Sequence, residues 1–407
     1  MVEFTLRTVA SPLHDPAALA ELLDGYLPLL RSAGRGDAGP EVVFVLTGGT
    51  EAQILDLVAE QHVRAPGEPV LLVAHPFHNS LPAALEALAR VHQDGGRGSI
   101  TMLTGPADDA GSADLARRVG DVTCARSLRA ARIGLVGDPS DWLVASMPVP
   151  EVVARRWGPT VVPVDLGEVI DEARAVPATL VRRLTEDVAD GARSLTEPCE
   201  ADVQAAAKLH PVLRERATSN GLDAITVRCF DALGALHTSG CVALSELNDE
   251  GIVAGCEGDL PSTIAMLWAR RLLGLGSWMA NPATVDRGSN EILLAHCTIA
   301  RELVTAYRLR SHFESGIGVG VAGELAATEV TLVRIGGTDL ERLWVAEGTA
   351  SVPPQREHLC RTQVLVRVDD VDVGELLDAP LGNHLVLVPG RHADRLRRYW
   401  ETLVAPG

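Results

Sequence analysis

The chain has 407 residues, 46% of them hydrophobic and 22% charged, with a formal net charge of −18. That length can bury two or three cores, and the residue balance is that of an ordinary soluble globular protein. The acidic surplus argues against nonspecific nucleic-acid binding and against anionic membranes as partners, and no apolar run reaches spanning length. The only lysine is Lys208, in AAAKLHP, which reads as helix. A P-loop is thereby excluded, and Schiff-base or pyridoxal-phosphate chemistry would have to run through that one side chain. Seven cysteines without a CxxC pair read as reduced thiols, and MVEFTLRTVASPLHD lacks the pattern of a signal peptide, so a cytoplasmic protein is expected.

Residues 1–150 alternate between two periods. FTLRTVA reads as a strand, residues 15–33 as an amphipathic helix, EVVFVLTGG as a buried strand and EAQILDLVAEQH as a helix. VLLVAHP and SLPAALEALARVH repeat the pair, and RIGLVG closes the region as a further strand. Such alternation with near-continuous apolar strands predicts a parallel sheet covered on both faces. The proline-containing segment ASMPVPEVVARRWGPTVVPVD marks a boundary. Residues 151–305 resume the alternation, with helices over 166–190, 200–219 and 261–274 and strands at DAITVRC, IVAGCE and EILLAHC. Over 306–407 the strands GIGVGVAG, EVTLVRIGG, RLWVAEGTAS, TQVLVRVDD and HLVLVPG follow one another without helices, before a last helix at ADRLRRYWETLV. The expected architecture is α/β: two Rossmann-like parallel α/β domains plus a C-terminal antiparallel β-barrel-like domain.

Glu257 follows IVAGC, where a strand gives way to a loop, and ligands of open α/β sheets bind beyond such strand ends. An exposed loop acid is the alternative. Asp259 lies nearer the next helix and reads as its cap. His296 ends the apolar run EILLAHC and is either a ligand or a hydrogen-bonded core histidine. His384, in GNHLVLVPG, is a third metal-capable residue, preceded by Asn383. A carboxylate and imidazoles converging at strand ends can form an open divalent-metal site, able to act as a Lewis acid on a polyol or carbonyl compound. WMANPATVDRG reads as a proline-containing loop. In it Asn281 can offer a carbonyl oxygen to a metal but cannot act as a base, and Asp286 is either a displaced carboxylate or a solvated acid. TGGTEA (47–52) could hold an anion or simply turn the chain. HPFHNS sets His75, His78 and Asn79 where they could line a pocket, and Arg228 and His312 could touch substrate oxygens.

CEGDLPSTIAML, NEILLAHC and GNHLVLV together resemble the L-fucose isomerase/L-arabinose isomerase superfamily, nearest to its short fucose-isomerase-like branch. TGGTEAQI, HPFHNSLPAALEAL, RIGLVGDPSDWLV, GLDAITVRCFDAL, TSGCVALSELNDEGIVAGCEGD, RSHFESG and CRTQ extend the resemblance over most of the chain. It implies homo-oligomers (trimer or hexamer) with active sites near subunit contacts. It also implies a divalent cation, usually Mn2+ with Mg2+ or Co2+ as alternatives, that supports aldose–ketose isomerisation or epimerisation of a sugar or modified sugar through an enediol. By position, Glu257 matches a ligand and acid–base residue, and His296 and His384 match ligands. The family's second carboxylate falls on Asn281, which keeps a coordinating oxygen but loses the charge and the ability to accept a proton; Asp286, Asp259 or a water could substitute. Asn79, Arg228, His312 and Asn383 are the expected substrate contacts. Two other readings stay open: the same scaffold running a lyase, aldolase-like or hydrolase reaction, and a non-catalytic sugar-binding protein.

Overall fold

A computed structural model of the chain describes residues 2–34, 36 and 38–405. One compact unit is Met1–Ser127 with Tyr399–Gly407 and the other is Leu128–Arg398. In the first, β1 (Thr5–Val9), β2 (Glu41–Val45), β3 (Val70–Ala74) and β4 (Gly98–Met102) form a parallel sheet in that order. β2 and β3 are buried at every position because helices cover both faces. Tyr26, Leu29, Leu30, Leu115 and Val119 pack on one side, and Ile54, Ala83, Ala87 and Leu88 on the other. Strands covered on both sides have no polar face to present, which is why EVVFV and VLLVA are uninterrupted. β4, GSITM, lies at the sheet edge and is only partly buried, so no apolar run marks it.

In the second unit β5 (Arg132–Val136), β6 (Thr160–Val164), β7 (Ala224–Val227) and β8 (Val253–Cys256) form a parallel sheet in the order β6-β5-β7-β8. Two sequence readings change here. RIGLVG, read as closing the first region, is β5 and pairs with β6 and β7. The segment read as a boundary supplies β6, whose Pro163 is tolerated because an edge strand leaves one ladder unpaired. The long helix expected over 166–190 is split into Leu166–Ala175 and Ala178–Asp190 by Pro177, which has no amide to donate. From β5 the chain passes to β6 on one side, and β7 and β8 lie on the other. The crevice beyond the carboxyl ends of β5 and β7 is thus a topological switch point, the place where such sheets take ligands.

The remaining strands are antiparallel: β9 (Trp278–Asp286), β10 (Glu291–His296), β11 (Val304–Arg310), β12 (Gly320–Leu325), β13 (Glu329–Gly336), β14 (Arg342–Ser351), β15 (Thr362–Val368) and β16 (Leu385–Pro389). Six of them close a barrel in the order β10-β15-β14-β13-β16-β9, while β11 and β12 pair separately. Ile292 and Leu294, Val330 and Leu332, Val364 and Val366, and Leu385 and Leu387 alternate into one core, the period of two that fills a small barrel. The architecture is thus two parallel α/β sheets and an antiparallel barrel. WMANPATVD, read as a loop, is β9. The β9–β10 register shifts between Leu293 and Leu294, so a bulge beside Pro282 accommodates the proline. β9 and β10 therefore belong to the barrel. Among the described residues no helix is long and apolar enough to cross a membrane.

Candidate active site

Glu257 is the first residue past β8 and has φ of +63°, followed by Gly258 at +74°. A left-handed conformation costs a non-glycine residue about 1–3 kcal/mol, so the neighbours must impose it. The loop after β5 does so. The Ser140 amide donates to the Glu257 carbonyl at 2.8 Å, and the Trp142 indole N–H donates to Glu257 Oε2 at 2.6 Å. The loop sits so close that a Cβ on residue 258 would come within 2.7 Å of the Pro139 Cα. Arg228, just past β7, braces the loop by donating to the Pro139 carbonyl at 2.6 Å and to Asp141, while its Nε donates to Asp231 at 2.7 Å. Arg228, expected as a substrate contact, is placed in this clamp with two carboxylates and a carbonyl as partners.

His384 leads into β16 and is fully buried. Its Nδ1 lies 2.8 Å from Asp259 Oδ2. Asp259 caps the helix Leu260–Leu273 by accepting from the Ser262 amide at 2.8 Å, and it also meets the buried Arg334 guanidinium at 3.1 Å. Burial alone would raise the Asp259 carboxyl, but Arg334 and His384 outweigh it and hold the group well below its ordinary range. For His384, burial works downward, but the Asp259 hydrogen bond and the charges of Asp259 and Glu257 push the ring up to about 9. His384 Nε2 lies 3.6 Å from Glu257 Oε1, too far for a hydrogen bond, and this buried nitrogen has no hydrogen-bond partner. His296 ends β10 with Nδ1 2.9 Å from Thr298 Oγ1, and burial first, then His384, lower its ring to about 4. The Glu257 carboxyl is raised by burial but lowered further by His384, His296 and Trp142, so it sits below its ordinary value.

One ligand atom from each of Glu257, His296 and His384 falls within 4.8 Å of the others. Two imidazoles and a carboxylate form a donor set suited to a divalent transition-metal ion. The orphaned His384 Nε2 is the observation that fits a cation best, since a buried nitrogen without a partner is otherwise costly. Asp259 fixes that ring through Nδ1, in the manner of carboxylate–histidine–metal relays.

Glu257 and His296 border a cavity of about 410 Å3, lined also by Trp142, Phe230, Asn281, His312, Glu314 and Asn383 together with Cys241, Cys256, Cys297 and Cys360, while His384 stands behind them beside Glu257. Asn281 therefore reaches the pocket, with its amide 3.4 Å from the Asn383 carbonyl. Asp286 does not. Five residues further along β9, about 16 Å at strand rise, it is exposed and accepts from the Gly288 and Ser289 amides in the turn to β10. Asn79 lies in the other compact unit, where it borders a different cavity with His14, Gly48, Glu51 and His78. Sequence reasoning missed Trp142, Phe230 and Glu314. The first two are single aromatics whose meeting, with rings 4.9 Å apart and at 85°, depends on adjacent strand ends of the sheet.

At these strand ends a metal-capable carboxylate and two imidazoles lie together, with Glu257 and His296 opening onto the cavity. No family model matches the chain. It is 27% identical over 278 residues to the sulfoquinovose isomerase of Alkalicoccus urumqiensis, covering 66% of this chain and 62% of that protein. Identity to the sulfoquinovose isomerase of Priestia megaterium is 26% over 299 residues, 69% of this chain and 65% of the relative. A Clostridium sulfoquinovose isomerase is 30% identical over 170 residues, or 39% and 37% of the two chains. The match to the first two thus spans somewhat less than two thirds of their length.

Proposed function

We propose that this protein is a divalent-metal-dependent sugar isomerase that interconverts an aldose and a ketose, with sulfoquinovose the first substrate to try and neutral aldohexoses the next. The buried trio of Glu257, His296 and His384, with its unpartnered imidazole nitrogen facing a carboxylate, carries the reading. The similarity to sulfoquinovose isomerases supports the reaction class.

In this reading Glu257, His296 and His384 hold the cation, and Asn281 offers its amide oxygen from the pocket wall. The bound cation supplies Lewis acidity where a substrate oxygen gains charge. Glu257 takes the carbon-bound proton at C2 and returns a proton to C1. Trp142 fixes the rotamer of that carboxylate, and Asp259 with Arg334 fixes His384. Trp142 and Phe230 form an apolar wall against the sugar ring and keep water from the reacting carbons.

The direct test is ketose formation by the metal-loaded protein from sulfoquinovose and aldohexoses, and its loss on chelation. Asn281→Asp adds a charged oxygen beside the trio and is expected to tighten Mn2+ by roughly tenfold, since ligand charge count tunes affinity for hard cations. Titration calorimetry reads this; an unchanged Kd would put Asn281 outside the ligand set. Trp142→Phe removes a charge-assisted hydrogen bond of about 1.5–3 kcal/mol and is expected to lower kcat/KM by roughly ten- to hundredfold. Wild-type kinetics in that variant would mean the carboxylate needs no such anchor.

A further inference from the structure

An aldose–ketose exchange moves two kinds of proton, one between carbons and one between oxygens. Glu257 can carry the first. Asn281, on the wall of the same pocket, is an amide that exchanges no proton at ordinary pH. Apart from the thiols, the titratable side chains lining the pocket are Glu257, His296, His312 and Glu314. His296 is turned toward His384, with ring centroids 5.5 Å apart. Glu314 is exposed. His312 remains, a buried ring at 7% exposure.

We infer that His312 is the second acid–base group of this pocket, carrying the oxygen-bound proton while Glu257 carries the carbon-bound one. The assignment rests on the isomerase reading above. Ser315 Oγ lies 2.9 Å from His312 Nδ1, which leaves Nε2 for the pocket. Phe230 meets the ring edge-on at 5.5 Å and 73°, and Phe230 in turn stands against Trp142, the anchor of Glu257. One aromatic wall therefore fixes both groups in the same cavity. His312 lines the same cavity as Glu257, His296 and Cys297. An imidazole can both give and take a proton near neutral pH, which an amide cannot.

The steps balance. Glu257 takes the proton from C2, the C–H pair becomes the C1=C2 bond, and the C1=O1 π pair moves to O1, which receives a proton from His312. His312 then takes the proton from O2–H as the C2=O2 bond forms, the C1=C2 pair takes a proton from Glu257 at C1, and both side chains end as they began.

The test uses the full, Mn2+-loaded chain in D2O with a convertible aldose. Ketose formation and deuterium at C2 of the recovered aldose are followed together by NMR. In His312→Gln, conversion should fall by about 10²- to 10⁴-fold, while C2 exchange falls much less, so the exchange-to-conversion ratio rises at least about tenfold. In His312→Ala, added imidazole should restore part of the conversion, and Mn2+ Kd should stay at the wild-type value. A purely structural role would move neither the ratio nor the imidazole response, and that result overturns the assignment. Three other results overturn it too: His312→Gln retaining wild-type conversion, a loss confined to KM for the sulfonated sugar, or the same ratio change in Glu314→Gln instead. A wild-type protein that neither converts nor labels any aldose would sink the isomerase reading itself, a failure plainly different from a defect of the variant.

Discussion

Glu257→Gln is expected to lower metal-dependent aldose–ketose conversion by at least about 10³-fold with the chain still folded. The amide matches the carboxylate in shape, so the left-handed turn at 257 and the Ser140 contact to its carbonyl should survive. What disappears is the base that abstracts the carbon-bound proton, together with one anionic ligand. Both losses act on the same step, so the effect should exceed that of a ligand change alone. Solvent exchange at C2 should vanish with conversion, unlike the expectation for His312→Gln. Circular dichroism and initial rates across a range of Mn2+ concentrations check this. Conversion that returns to wild-type rates at saturating Mn2+ would reduce Glu257 to a ligand without a proton-transfer role.

Asp259→Asn should weaken Mn2+ binding by about 10- to 100-fold and destabilise the fold by about 3–5 kcal/mol. The two effects have separate causes. Asp259 and Arg334 are both essentially inaccessible, with side-chain exposures of 0% and 1%, so removing the carboxylate charge strands a guanidinium in the interior. The same oxygen that meets Arg334 accepts from His384 Nδ1, and losing it frees the ring to change tautomer. The double variant Asp259→Asn with Arg334→Met separates them. Stability should recover in part because neither charge remains unpaired, whereas Mn2+ affinity should stay low because His384 still lacks its partner. Recovery of both together would make Asp259 a purely structural residue. Denaturant midpoints and calorimetric Kd values give the two readouts.

Glu257, His296 and His384 were legible in the sequence because each interrupts or abuts an apolar run at a strand end, where a polar side chain needs a reason. The cap at Asp259 was legible for a similar reason, lying just ahead of the helix it starts. Its second contact was not: His384 lies 125 residues away and reaches it only through the docking of β16 against that helix. Trp142 has no local pattern at all, since its role depends on the β5 loop folding over the end of β8. Arg228 looked like a substrate contact because it follows a strand end, and only the positions of Asp141 and Asp231 show where its charge is spent. Asp286 was kept as a substitute carboxylate because WMANPATVD was read as a loop. As a strand, the same residues carry Asp286 to the far end, five positions beyond Asn281.

Metal-dependent isomerisation is decided by stripping the protein with a chelator, reloading it with Mn2+, and following sulfoquinovose and neutral aldohexoses in D2O by NMR. Ketose should form only with the added metal, with solvent deuterium entering at C1 of the ketose and C2 of the aldose. Aldoses left both unconverted and unlabelled by protein shown to have bound Mn2+ would contradict the isomerase reading.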